Sequence, residues 1–126
     1  MKSILVLITA SPTASANCHS AIAFCESACK SGYDVSVFFY GEGVHNCNSF
    51  ISPVNDEKNI LSEWQGLSEK YQINLIVCNT AANKRGLIAQ EDAVVSGSFN
   101  ISSPFIAGGL AEFSSLSQKT DRLIQF

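Results

Sequence analysis

Short unbroken apolar runs alternate along this chain with segments whose apolar residues recur every three or four positions, and this alternation constrains the fold more than any other feature. "SILVLIT" at 3 to 9, "YDVSVFFY" at 33 to 40 and "INLIVC" at 73 to 78 have strand length and the continuous apolarity of strands covered on both faces. Between the first two, from Ala16 to Lys30, Cys18, Ala21, Ile22, Cys25, Ala28 and Cys29 form one helical stripe, with Gly32 placed to end it. Between the second and third, Ile60, Leu61, Trp64, Leu67 and Tyr71 share a side of a helix predicted from Asp56 to Tyr71. Strands interleaved with helices predict an α/β fold: a three-layer sandwich on a mostly parallel central sheet of about five strands, of the Rossmann or flavodoxin-like kind.

The later chain continues the pattern. A helical turn over Thr80 to Arg85 stops at Gly86, and "LIAQEDAVVSG", 87 to 97, reads as a brief helix or helical loop with ill-defined edges. "SPFIAG", 103 to 108, suits a strand with Pro104 at its start, where a missing N–H is tolerated. Residues 109 to 119 give a last helix with Leu110, Phe113 and Leu116 one turn apart, and "DRLIQF" a closing strand.

The 126 residues suit one domain, 1–126. The opening "MKSILVLITASP" reads as a first strand rather than a signal peptide, because its apolar part, about seven residues, is at the lower limit of a secretory core region. No apolar stretch approaches the roughly 18 residues needed to span a membrane, so a cytoplasmic protein is expected. A net charge of -3 and no basic run longer than "KR" disfavour direct contact with nucleic acid. Five cysteines, at 18, 25, 29, 47 and 78, form an odd set without a CxxC pair, as for free thiols in a reducing compartment. The three on the first helix are expected to be buried small hydrophobes.

Ligand sites of parallel sheets lie at the carboxyl ends of the strands. The loops at 9 to 17, 40 to 55 and 78 to 86 are therefore expected to converge. Cys78 stands at the end of its strand, either as a nucleophile or as a buried cysteine that terminates it. The helical turn that follows, capped by Asn79 or Thr80, and the cations Lys84 and Arg85 would favour its thiolate. A phosphatase loop fits poorly: after five intervening residues Cys78 is followed by Lys84 rather than arginine, and no glycine lets the intervening amides turn inward. "TASPTASAN" is rich in hydroxyls and is a weak candidate for a phosphate-binding loop, as in a flavodoxin-like binding protein; otherwise it is an ordinary loop with Ser15 capping the first helix. His19 belongs on the polar side of that helix. His45 and Cys47, even with Glu42, fall short of a metal ligand set, and His45 would serve better as a proton partner for a nearby thiol.

Taken together, "VFFYGEGVHNCN", "SPVNDE", the strand-end Cys78 followed by "KRG", and the terminal "DRLIQF" resemble the DsrE/DsrF-like sulfur-relay family over nearly the whole chain. The resemblance implies a sulfurtransferase without cofactor or metal. In it, Cys78 would accept sulfane sulfur from an upstream carrier as a persulfide and pass it to a downstream cysteine, toward 2-thiolation of the tRNA wobble uridine. It also implies TusB-like and TusC-like sister subunits in a heterohexamer with two copies of each chain, a TusA-like donor and a TusE-like acceptor. A DsrE-type role in dissimilatory sulfur oxidation and a non-catalytic sister subunit are the alternatives. Phe39, Tyr40, Gly43, Val44 and Asn46 match the loop that helps frame the family's pocket, and Arg85 with Gly86 match its "RG". Cys47 departs from the pattern, and a second thiol near the pocket would raise the question of a disulfide trap.

Overall fold

The unbroken apolar runs become interior strands of one five-stranded sheet in the computed structural model, which describes residues 2–51 and 59–126. In chain order the strands are β1 (Ser3–Ile8), β2 (Asp34–Phe39), β3 (Asn74–Cys78), β4 (Phe105–Gly108) and β5 (Arg122–Gln125). They lie in the order β4-β3-β2-β1-β5, every pair parallel. This is not the 2-1-3-4-5 order of flavodoxins, although both folds stack helices on the faces of a parallel sheet. Four strands step outward one place at a time, and β5 returns to the far side of β1.

Two helices fill the first two crossovers, α1 (Asn17–Lys30) and α2 (Ile60–Tyr71). Cys18, Ala21, Cys25 and Ala28 of α1 are buried as the spacing predicts, whereas Cys29, expected with them, is only half-buried. Gly32 adopts φ +89°, and the Gly32 and Tyr33 amides donate to Cys29 O and Ala28 O at 3.0 Å each, so the last carbonyls of α1 are satisfied. At the other end the Ser15 hydroxyl accepts from the Asn17 amide at 3.0 Å, while the capping position itself falls to Ala16. α2 begins at Ile60, where the Asn59 side chain accepts from the Ser62 amide at 3.2 Å. The earlier start predicted at Asp56, and the loop as far as it runs from 52 to 58, lie outside the described residues.

Successive strand residues point to opposite faces, so neighbouring phenylalanines of β2 separate the layers. Phe39 meets Trp64 of α2 edge-on at 5.1 Å, and Phe38 meets Phe113 of α5 (Leu110–Lys119) at 5.1 Å on the other side. α5 therefore carries the chain back across the sheet as the third layer. Phe113 and Leu116 pack partly against the core, but Leu110, expected on the same stripe, is exposed. Asp121 fastens the closing strand: its carboxylate accepts the Ser3 amide at 2.8 Å, a bond that holds the carboxyl below the usual aspartate range.

Between β3 and β4 run α3 (Asn79–Asn83) and α4 (Ala93–Ser96). Buried Asn100 clasps this excursion, accepting from the Ile88 amide at 2.7 Å and donating to Gly86 O at 3.2 Å. Among the described residues no helix is long and apolar enough to cross a membrane.

Candidate functional site

Cys78 is the last residue of β3 and, by alternation, shares the α5 side of the sheet with Ile76. Its backbone, at φ -65° and ψ 112°, is the non-helical residue that precedes α3, so Cys78 itself holds the capping position predicted for Asn79 or Thr80. Asn79 is instead the first helical residue, and its Oδ1 is buried without a donor among the described residues.

Cys78 is only 2% exposed. It reaches solvent through a cleft of about 370 Å³ lined by Tyr40, Gly41, Cys78, Thr80, Ala81, Lys84, Arg85 and Leu110. The walls come from the ends of β2 and β3, from α3 and the two residues that follow Asn83, and from the start of α5. The loop after β1, expected to converge here, turns to other work: Ala10 O accepts from the Cys18 thiol at 3.3 Å and from the Asn46 amide at 3.4 Å, and Ser11 and Thr13 bond each other. A cleft of about 440 Å³ at the opposite edge, lined by Ser3, Tyr33 and Asp121 among others, carries no thiol and lies at the amino ends of the strands.

Tyr40, Lys84 and Arg85 thus line the same cleft as Cys78, with Gly86 just beyond at φ +78°. The cations differ in state. Arg85 donates from Nε to Glu42 Oε1 at 3.0 Å and from Nη1 to Ala81 O at 3.0 Å, so its charge is already matched by a carboxylate. Lys84 is exposed and makes no ion pair among the described residues. The guanidinium beside Glu42 holds that carboxyl below its ordinary range, with His45 Nε2 at 3.3 Å from its other oxygen. His45 therefore faces Glu42 and is not among the cleft residues, which corrects the expectation of a proton partner at the thiol.

Val44 and Asn46 lie behind the cleft rather than lining it, because the segment Gly41–Cys47 winds as a 3-10 helix that turns them inward with Gly43 packed on the sheet, while Phe39 points to the α2 face, away from Cys78. A Cβ on Gly43 would stand 2.0 Å from Ile8 O, so only glycine lets the two backbones touch. Asn46 is fully buried, donating to Gly43 O at 2.8 Å and accepting from Trp64 Nε1 at 3.1 Å. Its partner could have been sought from the sequence, since a buried indole requires an acceptor. Cys47 is also fully buried, and burial pushes its thiol well above the ordinary range, so it does not open on the cleft. His19 pairs with Glu63 at 3.2 Å across α1 and α2, on the polar side where it was expected. Among the described residues, no three His, Cys, Asp or Glu side chains gather as a metal ligand set would. Gly41, Thr80, Ala81 and Leu110 are cleft residues that the sequence did not single out.

The cleft can admit a narrow reacting group to the Cys78 thiol, beside the Lys84 ammonium, which has no ion-pair partner among the described residues, and beside Tyr40 and Thr80. A family model described as the DsrE/DsrF-like family matches residues 2–126. The sulfurtransferase TusD of Buchnera aphidicola from Acyrthosiphon pisum (strain 5A) is 40% identical over 126 residues, covering 96% of this chain and 97% of that protein. The sulfurtransferase TusD of Pectobacterium carotovorum (strain PC1) is 37% identical and covers 100% of both chains. The crystal structure of the ychN protein of E. coli superposes with a TM-score of 0.76 over 100% of both chains at 20% identity, a likeness of fold.

Proposed function

This chain belongs to the DsrE/DsrF-like family, and from that premise we propose that residues 1–126 act as one sulfurtransferase domain that carries sulfur as a persulfide on Cys78. The observation that carries the reading is a free thiol at a strand end, opening on a cleft, while Cys18, Cys25 and Cys47 are sealed in the core. The Cys78 thiolate attacks the terminal sulfur of a donor persulfide. One S–S bond forms, one breaks, and the donor leaves as its thiolate. The acceptor cysteine then attacks the terminal sulfur of the Cys78 persulfide, and Cys78 departs as thiolate. Each step is an exchange without net oxidation, and neither requires a metal or organic cofactor.

The sulfur remains covalently bound, so donor and acceptor must dock in turn. Ile106, Leu110 and Leu123, each more than half exposed on the α5 side, suit burial against sister subunits of the TusB-like and TusC-like kind in a heterohexamer. A TusA-like donor and a TusE-like acceptor would place the chain in the cytoplasmic route to tRNA 2-thiolation. Lys84, facing the cleft, would steady the thiolate in both steps.

The test is loading with a cysteine desulfurase, cysteine and the small upstream carrier, followed by peptide mass spectrometry under non-reducing conditions. One added sulfur atom is expected on Cys78 and none on Cys47, Cys18, Cys25 or Cys29. A Cys78→Ser chain is expected to fold and assemble but to deliver nothing. Delivery by that variant, or label on Cys47 in place of Cys78, would sink the assignment.

A further inference from the structure

The thiol of a residue only 2% exposed reacts at the pace its cleft allows, so whatever fixes the cleft walls selects the partner. One side chain ties the two sides of the cleft together. Arg85 donates to Ala81 O and to Glu42, and Glu42 adjoins Gly41 in the opposite wall. The same carboxylate meets His45 across its other oxygen, and Gly43, pressed on Ile8 O, anchors the segment to the sheet from below. Beyond Arg85 the chain turns at Gly86. The Glu42–Arg85 pair thus straps the segment after β2 to the residues just after α3, and both segments supply walls of the cleft through which Cys78 is reached.

We propose that Glu42 is a positioning residue that fixes the width of the cleft mouth and so restricts Cys78 to slender attacking groups. This rests on the relay reading for its biological sense, but not for its test. A half-exposed ion pair contributes little to global stability. Its effect here is local: both elements that it joins are walls of one cleft, so loss of the strap lets them part without unfolding the sheet. An attacking cysteine on a thin chain end passes the strapped mouth, and a thiol set on a broad surface does not.

The experiment compares alkylation of Cys78 by iodoacetamide and by its pyrenyl derivative, which share the reactive carbon and are both uncharged but differ in bulk. Site-resolved mass spectrometry on the intact chain separates the cysteines. In Glu42→Ala the pyrenyl rate is expected to rise about fivefold while the iodoacetamide rate stays within about twofold, the scale set by one surface ion pair. Arg85→Lys keeps the charge but loses the fork that holds two acceptors, and is expected to shift the ratio the same way; it carries the test alone if Glu42→Ala does not fold. An unchanged ratio would overturn the proposal. So would rates that rise together with labelling of Cys47 and Cys25, since that marks general opening. A wild-type chain that takes up no sulfur defeats the relay reading, whereas the role of Glu42 stands or falls on the size ratio alone.

Discussion

The two faces of the sheet are covered unequally. On one side α1 and α2 bury Cys18, Ala21, Cys25, Ala28, Ile60, Trp64 and Leu67; on the other, α5 buries none of its own residues and leaves Ile106, Leu110 and Leu123 exposed. The cysteines follow the same division. Burial, with Cys29 close by, pushes the Cys25 thiol up to about 12, whereas Cys78 lies on the lightly covered side beside a cleft. One face is a finished core where thiols serve as packing, and the other leaves room for chemistry and docking.

Removing side chains from the two faces breaks or sharpens this contrast. Trp64→Ala is expected to cost the most, about 3–5 kcal/mol, because it empties a fully buried site and strands the Asn46 oxygen. Denaturant unfolding measures it, and a loss below about 1 kcal/mol would mean that this face is not a tight core. Phe113→Ala removes the partner of Phe38 on the other face and is expected to cost about 1–2 kcal/mol, since Phe113 is only partly buried. Equal losses in the two variants would erase the difference between the faces.

The smallest effect is at Asp121, at the lightly covered edge. Its carboxyl is held low by the Ser3 amide, so its contribution is present above the ordinary aspartate range and is lost as pH falls through the lowered folded-state value. The acid side of a stability profile is therefore expected to be flatter in Asp121→Asn than in the wild type. Identical acid slopes would show that this bond does not help hold β5 to β1.

Periodicity placed the strands, α1 and the turn at Gly32, because hydrophobic repeats and a glycine stop act within a few neighbouring residues. The cleft was legible only in part. Cys78, Lys84 and Arg85 are close in sequence, so they were found together, but Leu110 joins them only because β4 lies beside β3, which is a property of strand order. Likewise Glu42 and Arg85 are 43 residues apart, and no local pattern pairs them. The glycine-rich segment Gly41–Cys47 looked like a polar loop, yet its tight winding sends Val44, Asn46 and Cys47 into the core. For Cys78 the local pattern leaves a nucleophile and a buried strand end equally open, and the fold gives it features of both: burial on the α5 side of the sheet and a place on a cleft.

The sealed thiols make unfolding hazardous for the chain. Four of the five cysteines are buried, and none is bonded to another. Heat or denaturant releases all five at once, and an odd number cannot pair off within one molecule, so under air every unfolded chain keeps a thiol able to link covalently to its neighbour. Melting curves taken without reductant would then report the speed of oxidation and aggregation, shifting with scan rate and concentration.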